Sequence, residues 1–543
     1  MVFARRSTTL LAAIIASCAM VLSLTACTSD NKTVVDGQTT VTSNSAGGVA
    51  VFTPSDGITL NQQTPLNKWA KLVPDLAKAL ADAGFKKGDI DHTTSDSLAK
   101  QSRAIQDFVV DHLSNNTTDD SGIAIAPDNM TLLVAPVVEA DASTRQYGDY
   151  ISQNLSTNDA TDGEATSDGE SSEDDSSKDD LSNTESDSTA SDEQAQAVDR
   201  LVSSLKLAKE SGMHVVLLGN SIEGYKPDAF VKFSDAQTIG KLQAEKMVSK
   251  LKLDKASKDN PKYIEVLLPY TAVDEKGNAN DSTFAQEAFR GIWQVLGSYY
   301  QKGVVESPSG TLDGKSTEND WQAVAYDAAK EGSTAKVLDK RLAKTDGQST
   351  LTRIDGIITM NDYIASEVVK ELDDLGYTGS AADINPQITI SGIVGNITGK
   401  KDLSRDAVPD PIKSPENDNA NDSSSSDDDA DEDTSASDKD RDSQWPLVTG
   451  YGAYVSNIPS IVNGKQWMTG MEDRQTIATD IAQACAKLNK DEALNSMPSI
   501  RNSEVGGVKK IPTISEPLLA VSASNLKSAL IDPGYISLAD AGL

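Results

Sequence analysis

Apolar residues along this chain fall into two alternating patterns. Short apolar runs recur at Val49 to Thr53, Ile123 to Ala126, Val215 to Leu218, Tyr263 to Pro269, Ile354 to Met360, Ile388 to Gly392 and Pro446 to Gly450. Runs without polar alternation predict strands buried on both faces. Between them stand stretches with helical spacing: Leu66, Trp69, Val73, Leu76, Leu80 and Ala83, stopped by Gly84; Gly240, Ala244, Val248 and Leu251; and Ile364, Val368, Leu372 and Leu375, closed by Gly376. Short strands separated by amphipathic helices predict parallel sheets covered by helices, the doubly wound α/β architecture. Ligands in such sheets bind beyond the carboxyl ends of the strands. The residues just after each strand are therefore the first candidates for a site.

Charge changes the picture in two places. The chain has 543 residues and a formal net charge of −33, with 38% apolar and only 5% aromatic residues. Residues 156–193 hold 14 acidic residues against the single Lys178, and 414–444 hold 12 against Lys439 and Arg441. Neither tract can bury enough apolar surface to offset its ordering entropy, so both are expected to be disordered surface insertions. Their Ser-Asp runs lack the alternating ligands and fixed turn of a calcium loop. What remains is a mildly acidic globular protein long enough for several domains of ~100–200 residues each. Such a charge repels phosphate and excludes nucleic acid as the expected partner.

The amino terminus reads as an address. Arg5 and Arg6 precede an apolar stretch from Leu10 to Leu24, shorter than the ~20 residues a membrane-spanning helix needs. The stretch ends Leu24-Thr25-Ala26-Cys27, which resembles the cleavage box of bacterial lipoproteins. That resemblance implies a signal peptide over 1–26, lipidation of Cys27, anchoring to the cell membrane from outside, and a polar tether over 27–48. With Cys18 removed and Cys27 lipidated, Cys485 alone is left, and no intrachain disulfide is expected. Cys485 shares the face of Ile477, Ile481 and Leu488, the spacing of a buried structural thiol.

Catalytic chemistry is hard to find. The three histidines, 92, 112 and 214, show no metal-ligand spacing; His92 and His112 sit among polar residues and His214 precedes a strand. Gly219-Asn220-Ser221-Ile222-Glu223 begins like a nucleophile elbow but lacks the closing glycine. No glycine-rich phosphate or dinucleotide cradle follows a strand. A binding protein without metal or cofactor is the expectation, and an enzyme is not.

The residues after the strands, taken in order, resemble the periplasmic sugar-binding proteins of ABC transporters, especially the xylose and multiple-sugar branch. The pieces are Phe52-Thr53-Pro54 with Lys68-Trp69, Ile123 to Pro127, Phe233-Ser234-Asp235 with Gly240 to Ala244, Phe289-Arg290-Gly291, Asn361 to Ala365, Val448-Thr449-Gly450 and Asn463 to Thr469. The resemblance implies a two-lobed type I periplasmic-binding-protein-like fold, each lobe a doubly wound parallel sheet. It implies an amino-terminal lobe over 49–233, a carboxy-terminal lobe over 234–470 and a return segment, 471–543, completing both. It also implies a carbohydrate held in the inter-lobe cleft, hinge closure, docking on permease subunits, and a monomer.

Sugar sites combine aromatic faces with planar polar groups on each hydroxyl. The candidate ligand contacts are Asp56, Trp69, Asn220, Asp281, Asn361, Asp362 and Tyr451. Asn361 either touches ligand or caps the helix that follows it, or does both. Trp69 lies on the apolar face of its helix, so core packing competes with stacking on a sugar. Two departures matter. Relatives carry Asp-Arg after the strand matching Val215 to Leu218, where this chain has Gly219 and Asn220; they carry Gln-Asp after Thr-Gly, where it has Tyr451 and Gly452. Either Asp56, Asp281 and Tyr451 form a different arrangement, or the ligand is not that sugar. A surface sensor of the same fold, with another ligand or none, is the competing expectation.

Overall fold

The computed structural model describes residues 34–35, 38–39, 46–56, 65–115, 125–138, 144–156, 184–273, 279–343, 350–382 and 444–543. Cys27, the signal peptide, the run Ile388 to Gly392 and almost all of 414–444 lie outside the described residues. The chain divides into two compact units, residues 1–44 and 45–543. In the first, Val34–Val35 pairs antiparallel with Gln38–Thr39.

The second unit is built on two parallel sheets. The first runs Ile500–Val505, Val508–Ser515, Ala229–Lys232, His214–Leu218, Met130–Val134, Gly48–Pro54, Ile90–Ser95. Its first five strands in chain order stand 2-1-3-4-5, the flavodoxin-like doubly wound order. Only the hairpin of its last two strands is antiparallel. The second sheet runs Val305–Glu306, Lys262–Val266, Gly356–Ile358, Leu447–Val448, all parallel. The fold is the expected mixed α/β arrangement of two helix-covered parallel sheets.

The apolar patterns explain the layers. Trp69, Leu72, Leu76 and Leu80 form the buried stripe of helix Trp69–Asp82, packed under the first sheet with Ile477, Ile481 and Cys485 of helix Arg474–Leu488. Cys485 is buried, and desolvation drives its thiol pKa far above the ordinary value, so it is an inert core group. Helices Leu98–Asn115 and Thr184–Glu210 cover the other face. In the second half, helices Ala236–Lys250, Thr283–Gln301 and Asp362–Leu375 enclose Ile264, Val266, Ile357 and Val448. Gly376, with φ +93°, ends the last of these helices in the left-handed conformation that a side chain would resist.

Three expectations need correction. Of the strand read at Ile123 to Ala126, residues 123–124 lie outside the described residues and 125–126 are not in a strand; the strand is Met130–Val134, beyond Pro127, and all five of its residues are buried. The first acidic tract does not stay irregular to residue 193, because helix Thr184–Glu210 begins inside it and carries 184–193; residues 157–183 lie outside the described residues. His112 is not in polar surroundings: it is buried and stacked on Phe108, with neither ring nitrogen hydrogen-bonded, and desolvation lowers its pKa.

The chain passes between the sheets at 233–235, at 472–473 and at 516–518. Two of these passages are tied together. The Ser234 amide donates to Glu472 Oε1 at 2.7 Å, the Ser234 hydroxyl also donates to that oxygen, and Ser234 Oγ stands 2.5 Å from the Tyr451 hydroxyl. Glu472 is fully buried, and its desolvation pushes its pKa up to about 7.

Candidate functional site

The carboxyl ends of both sheets converge on one internal region, and a segment of the chain itself fills it. Residues 144–155, here called the strap, cross between the two halves. Tyr147 and Ile151 enter the core of the second half, and Tyr150 enters the core of the first.

On the first-half side, Tyr150 stacks on Phe233 with centroids 4.6 Å apart and meets Trp69 edge-on at 5.1 Å; Trp69 meets Phe233 edge-on at 5.7 Å. The Tyr150 hydroxyl donates to the Lys68 carbonyl at 2.6 Å. Trp69 begins a helix with no local side-chain cap, which leaves amide donors that favour an anion. Two distant carboxylates supply it. Trp69 N donates to Asp149 Oδ2 and Ala70 N to Asp56 Oδ2, each at 3.1 Å, while Lys68 Nζ sits 2.7 Å from Asp149 Oδ1. Burial, then the neighbouring Asp149 carboxylate, raises Asp56 to about 6. The Asp149 amide donates to the Asn67 carbonyl, and Gly148 passes so close that a Cβ would stand 2.5 Å from that oxygen. Further along, Gln153 N donates to Asn220 Oδ1 at 2.9 Å, Asn220 Nδ2 donates to the Pro136 carbonyl at 2.9 Å, and Asn154–Leu155 pairs in parallel with Ser221–Ile222.

On the second-half side, Asn361 is wholly buried. Its Oδ1 accepts from Ile364 N at 2.9 Å and its Nδ2 donates to Gln146 Oε1 at 3.1 Å. It caps its helix and also faces the strap. The Tyr454 hydroxyl donates to the Gln146 carbonyl at 2.6 Å. Tyr147 lies 4.7 Å from the Phe284 ring centroid and 6.2 Å from that of Tyr451. Its hydroxyl is near the Asn361 amide but makes no hydrogen bond of acceptable geometry, and burial holds its pKa well above the ordinary phenol.

Five of the seven sequence candidates surround the strap or lie beside it: Asp56, Trp69, Asn220, Asn361 and Tyr451. Asn220, Asn361 and Tyr451 spend their polar side-chain atoms on the protein, while the buried Asp56 Oδ1 has no hydrogen-bond partner. Trp69 is a core residue of an aromatic trio, and Tyr451 is turned to Ser234 and Glu472. Asp362 is a structural group. It is fully buried, raised to about 6 by desolvation, and accepts from Tyr454 N, Gln466 Nε2 and Thr469 Oγ1 at 2.7–2.9 Å. Asp281 is exposed, and its Oδ1 accepts from Thr283 N and Oγ1 just ahead of helix Thr283–Gln301. It lines a cavity of about 730 Å³ beside the strap, shared with Gln153, Asn154, Asp235, Gln237 and Glu287.

The sequence reading missed the strap and Glu472. The strap had a signal: Tyr147, Tyr150 and Ile151 are large apolar residues in a polar stretch between the acidic tract and a strand. Glu472 had none, because its importance comes from Ser234, 238 positions away in the chain. Among the described residues, no group of acidic, histidine or cysteine side chains is arranged to hold a metal ion, and no helix is long and apolar enough to cross a membrane.

No protein-family model and no curated protein matches this chain. Solved structures do. An ABC transporter solute-binding protein from Clostridium phytofermentans with bound β-D-glucose is 17% identical, covering 91% of this chain and 99% of that one, with a TM-score of 0.43. A carbohydrate transporter solute-binding protein from Chloroflexus aurantiacus in complex with D-glucose is 18% identical over 92% of this chain and 98% of its own, with a TM-score of 0.42. A periplasmic ribose ABC transporter protein from Conexibacter woesei is 13% identical over 90% and 96%, with a TM-score of 0.42. At such identities and scores, nothing about this chain's ligand follows from theirs.

Proposed function

We propose that this chain is an extracytoplasmic solute-binding lipoprotein serving an ABC importer, with a carbohydrate as its solute. In this reading, residues 1–26 are a signal peptide, Cys27 is lipidated, and 27–48 tether a monomer to the membrane. The lobes are 49–233 and 234–470, with 471–543 returning through both; hinge motion at the crossings opens the cleft, and the closed form docks on permease subunits. One observation supports the reading: Trp69, Asn220, Asn361 and Tyr451, which follow strands of both sheets, each contact the same short segment, residues 144–155. Aromatic rings and amides in that setting suit a polyol. Isothermal titration with pentoses, hexoses and oligosaccharides tests it; one sugar binding at one site per chain supports it, and silence across the panel, with the strap present or replaced, counts against it.

A second reading has its own observation. The amide atoms of Asn220 and Asn361 are both spent on the protein's own backbone and side chains. A surface receptor of the same fold that no longer takes a sugar would keep such a site filled. Labelled sugar uptake by cells with and without the gene separates the two: unchanged uptake of every sugar favours the receptor.

A further inference from the structure

We propose that residues 144–155 are a tethered competitor for the cleft, so that a solute enters only as the strap leaves. The inference rests on the solute-binding reading above and names how that site is regulated.

The strap meets the candidate contacts with the groups a sugar would present. Gln146 offers an amide oxygen to Asn361 Nδ2, and Tyr150 gives a ring to Trp69 and Phe233. Asp149 offers oxygens to the bare amino terminus of helix Trp69–Asp82. The first two are contacts that a hydroxyl or a pyranose face would replace in kind; Asp149, ion-paired with Lys68, leaves with the strap. The strap is also lightly built. Among the described residues its ladder pairing is the two-residue match of Asn154–Leu155 with Ser221–Ile222, and the buried Ser152 hydroxyl finds no partner. A cavity of about 730 Å³ runs along its outer side, toward Asp235, Gln237, Asp281 and Glu287, and gives the strap room to withdraw. Residues joined to the cores of both halves at once, Tyr147 and Ile151 to one and Tyr150 to the other, hold the halves together while the strap is seated. A site whose open state is a minor population shows its intrinsic affinity divided by the competent fraction. Freeing the cleft must therefore tighten binding with no new contact to the solute.

The test uses the mature chain, a variant with 144–155 replaced by a Gly-Ser sequence of equal length, and a synthetic peptide of residues 144–155. The expected result is that the peptide binds the variant one to one and not the wild type. A sugar that binds should displace the peptide, and should bind the variant about tenfold or more tighter than the wild type. Peptide binding with every sugar silent keeps the competitor and removes the carbohydrate reading. A sugar that binds both proteins equally, with no peptide binding, keeps that reading and overturns the competitor; silence of both ligands overturns both. Should the variant not fold, hydrogen exchange on the wild type decides. A bound sugar must speed exchange of the Asp149 amide, which now donates to Asn67, and unchanged or slower exchange overturns the proposal.

Discussion

The strap is held by unlike chemistry on its two sides. Toward the first half it has an ion pair, backbone hydrogen bonds in both directions, a short strand pairing and a stacked tyrosine whose hydroxyl is satisfied. Toward the second half it has hydrogen bonds at Gln146 and a tyrosine whose hydroxyl is not satisfied. The difference teaches where the molecule parts. Polar bonds with fixed geometry fail all at once when a half moves away, whereas ring contacts loosen gradually. Without a solute, halves that separate leave the strap on the first and uncover Asn361, Phe284 and Tyr451; only a solute competing for Trp69 and Phe233 then draws it off the first half as well.

The sharpest way to break that comparison is Tyr150→Ala. Removing this buried ring leaves a hole bounded by Trp69 and Phe233 and takes one of its donors from the Lys68 carbonyl, which costs about 3–5 kcal/mol on the scale of large core truncations. Chemical denaturation measures it. A loss below about 1 kcal/mol, the scale of a surface change, would mean that the strap is not seated in the first half.

Next in size is a pH effect at the crossing between the halves. Glu472 is raised from an ordinary 4.5 to about 7 by burial. A folded-state pKa above the unfolded one means that the folded form binds the proton more tightly. The contribution is therefore fully present below pH ~4.5 and is lost as pH climbs through about 7, amounting to about 3 kcal/mol at ~1.4 kcal/mol per unit. Glu472→Gln keeps a carbonyl oxygen for the Ser234 donors and removes the titration. Its stability curve between pH 4.5 and 8 is expected to be flatter than that of the wild type; a parallel curve would place the titrating group elsewhere.

Much of the scaffold was legible because burial is written locally. The strands His214–Leu218 and Gly356–Ile358 and the helix Asp362–Leu375 each carry their own apolar period and their own stop. Strand Met130–Val134 escapes the apolar pattern because a polar residue, Thr131, stands second in it. That hydroxyl is buried and donates to Asn489 at 2.6 Å, a partner 358 positions away that no local window contains. The site was half legible for the same reason. Positions after strands pointed to Asn220, Asn361 and Tyr451, but a position does not reveal what a side chain bonds to. Asp362 looked like a ligand contact and serves as a buried acceptor for three donors of its own half. The strap escaped because its residues form no periodic element; their burial depends on both sheets being present.

The smallest expected effect separates the two faces most cleanly. Tyr150→Phe and Tyr147→Phe delete the same atom from opposite sides of one segment, with each ring left in place. At position 150 the lost hydroxyl leaves the Lys68 carbonyl without its 2.6 Å donor, a cost of about 1 kcal/mol. At position 147 the deleted oxygen is buried and without a hydrogen bond, so its removal relieves a desolvation penalty and is neutral or stabilising by up to about 1 kcal/mol. Opposite signs in paired thermal and denaturant unfolding would fix the asymmetry to the chemistry of each face. Equal losses would mean that Tyr147 holds the second half as firmly as Tyr150 holds the first, and that the strap has no preferred side to follow.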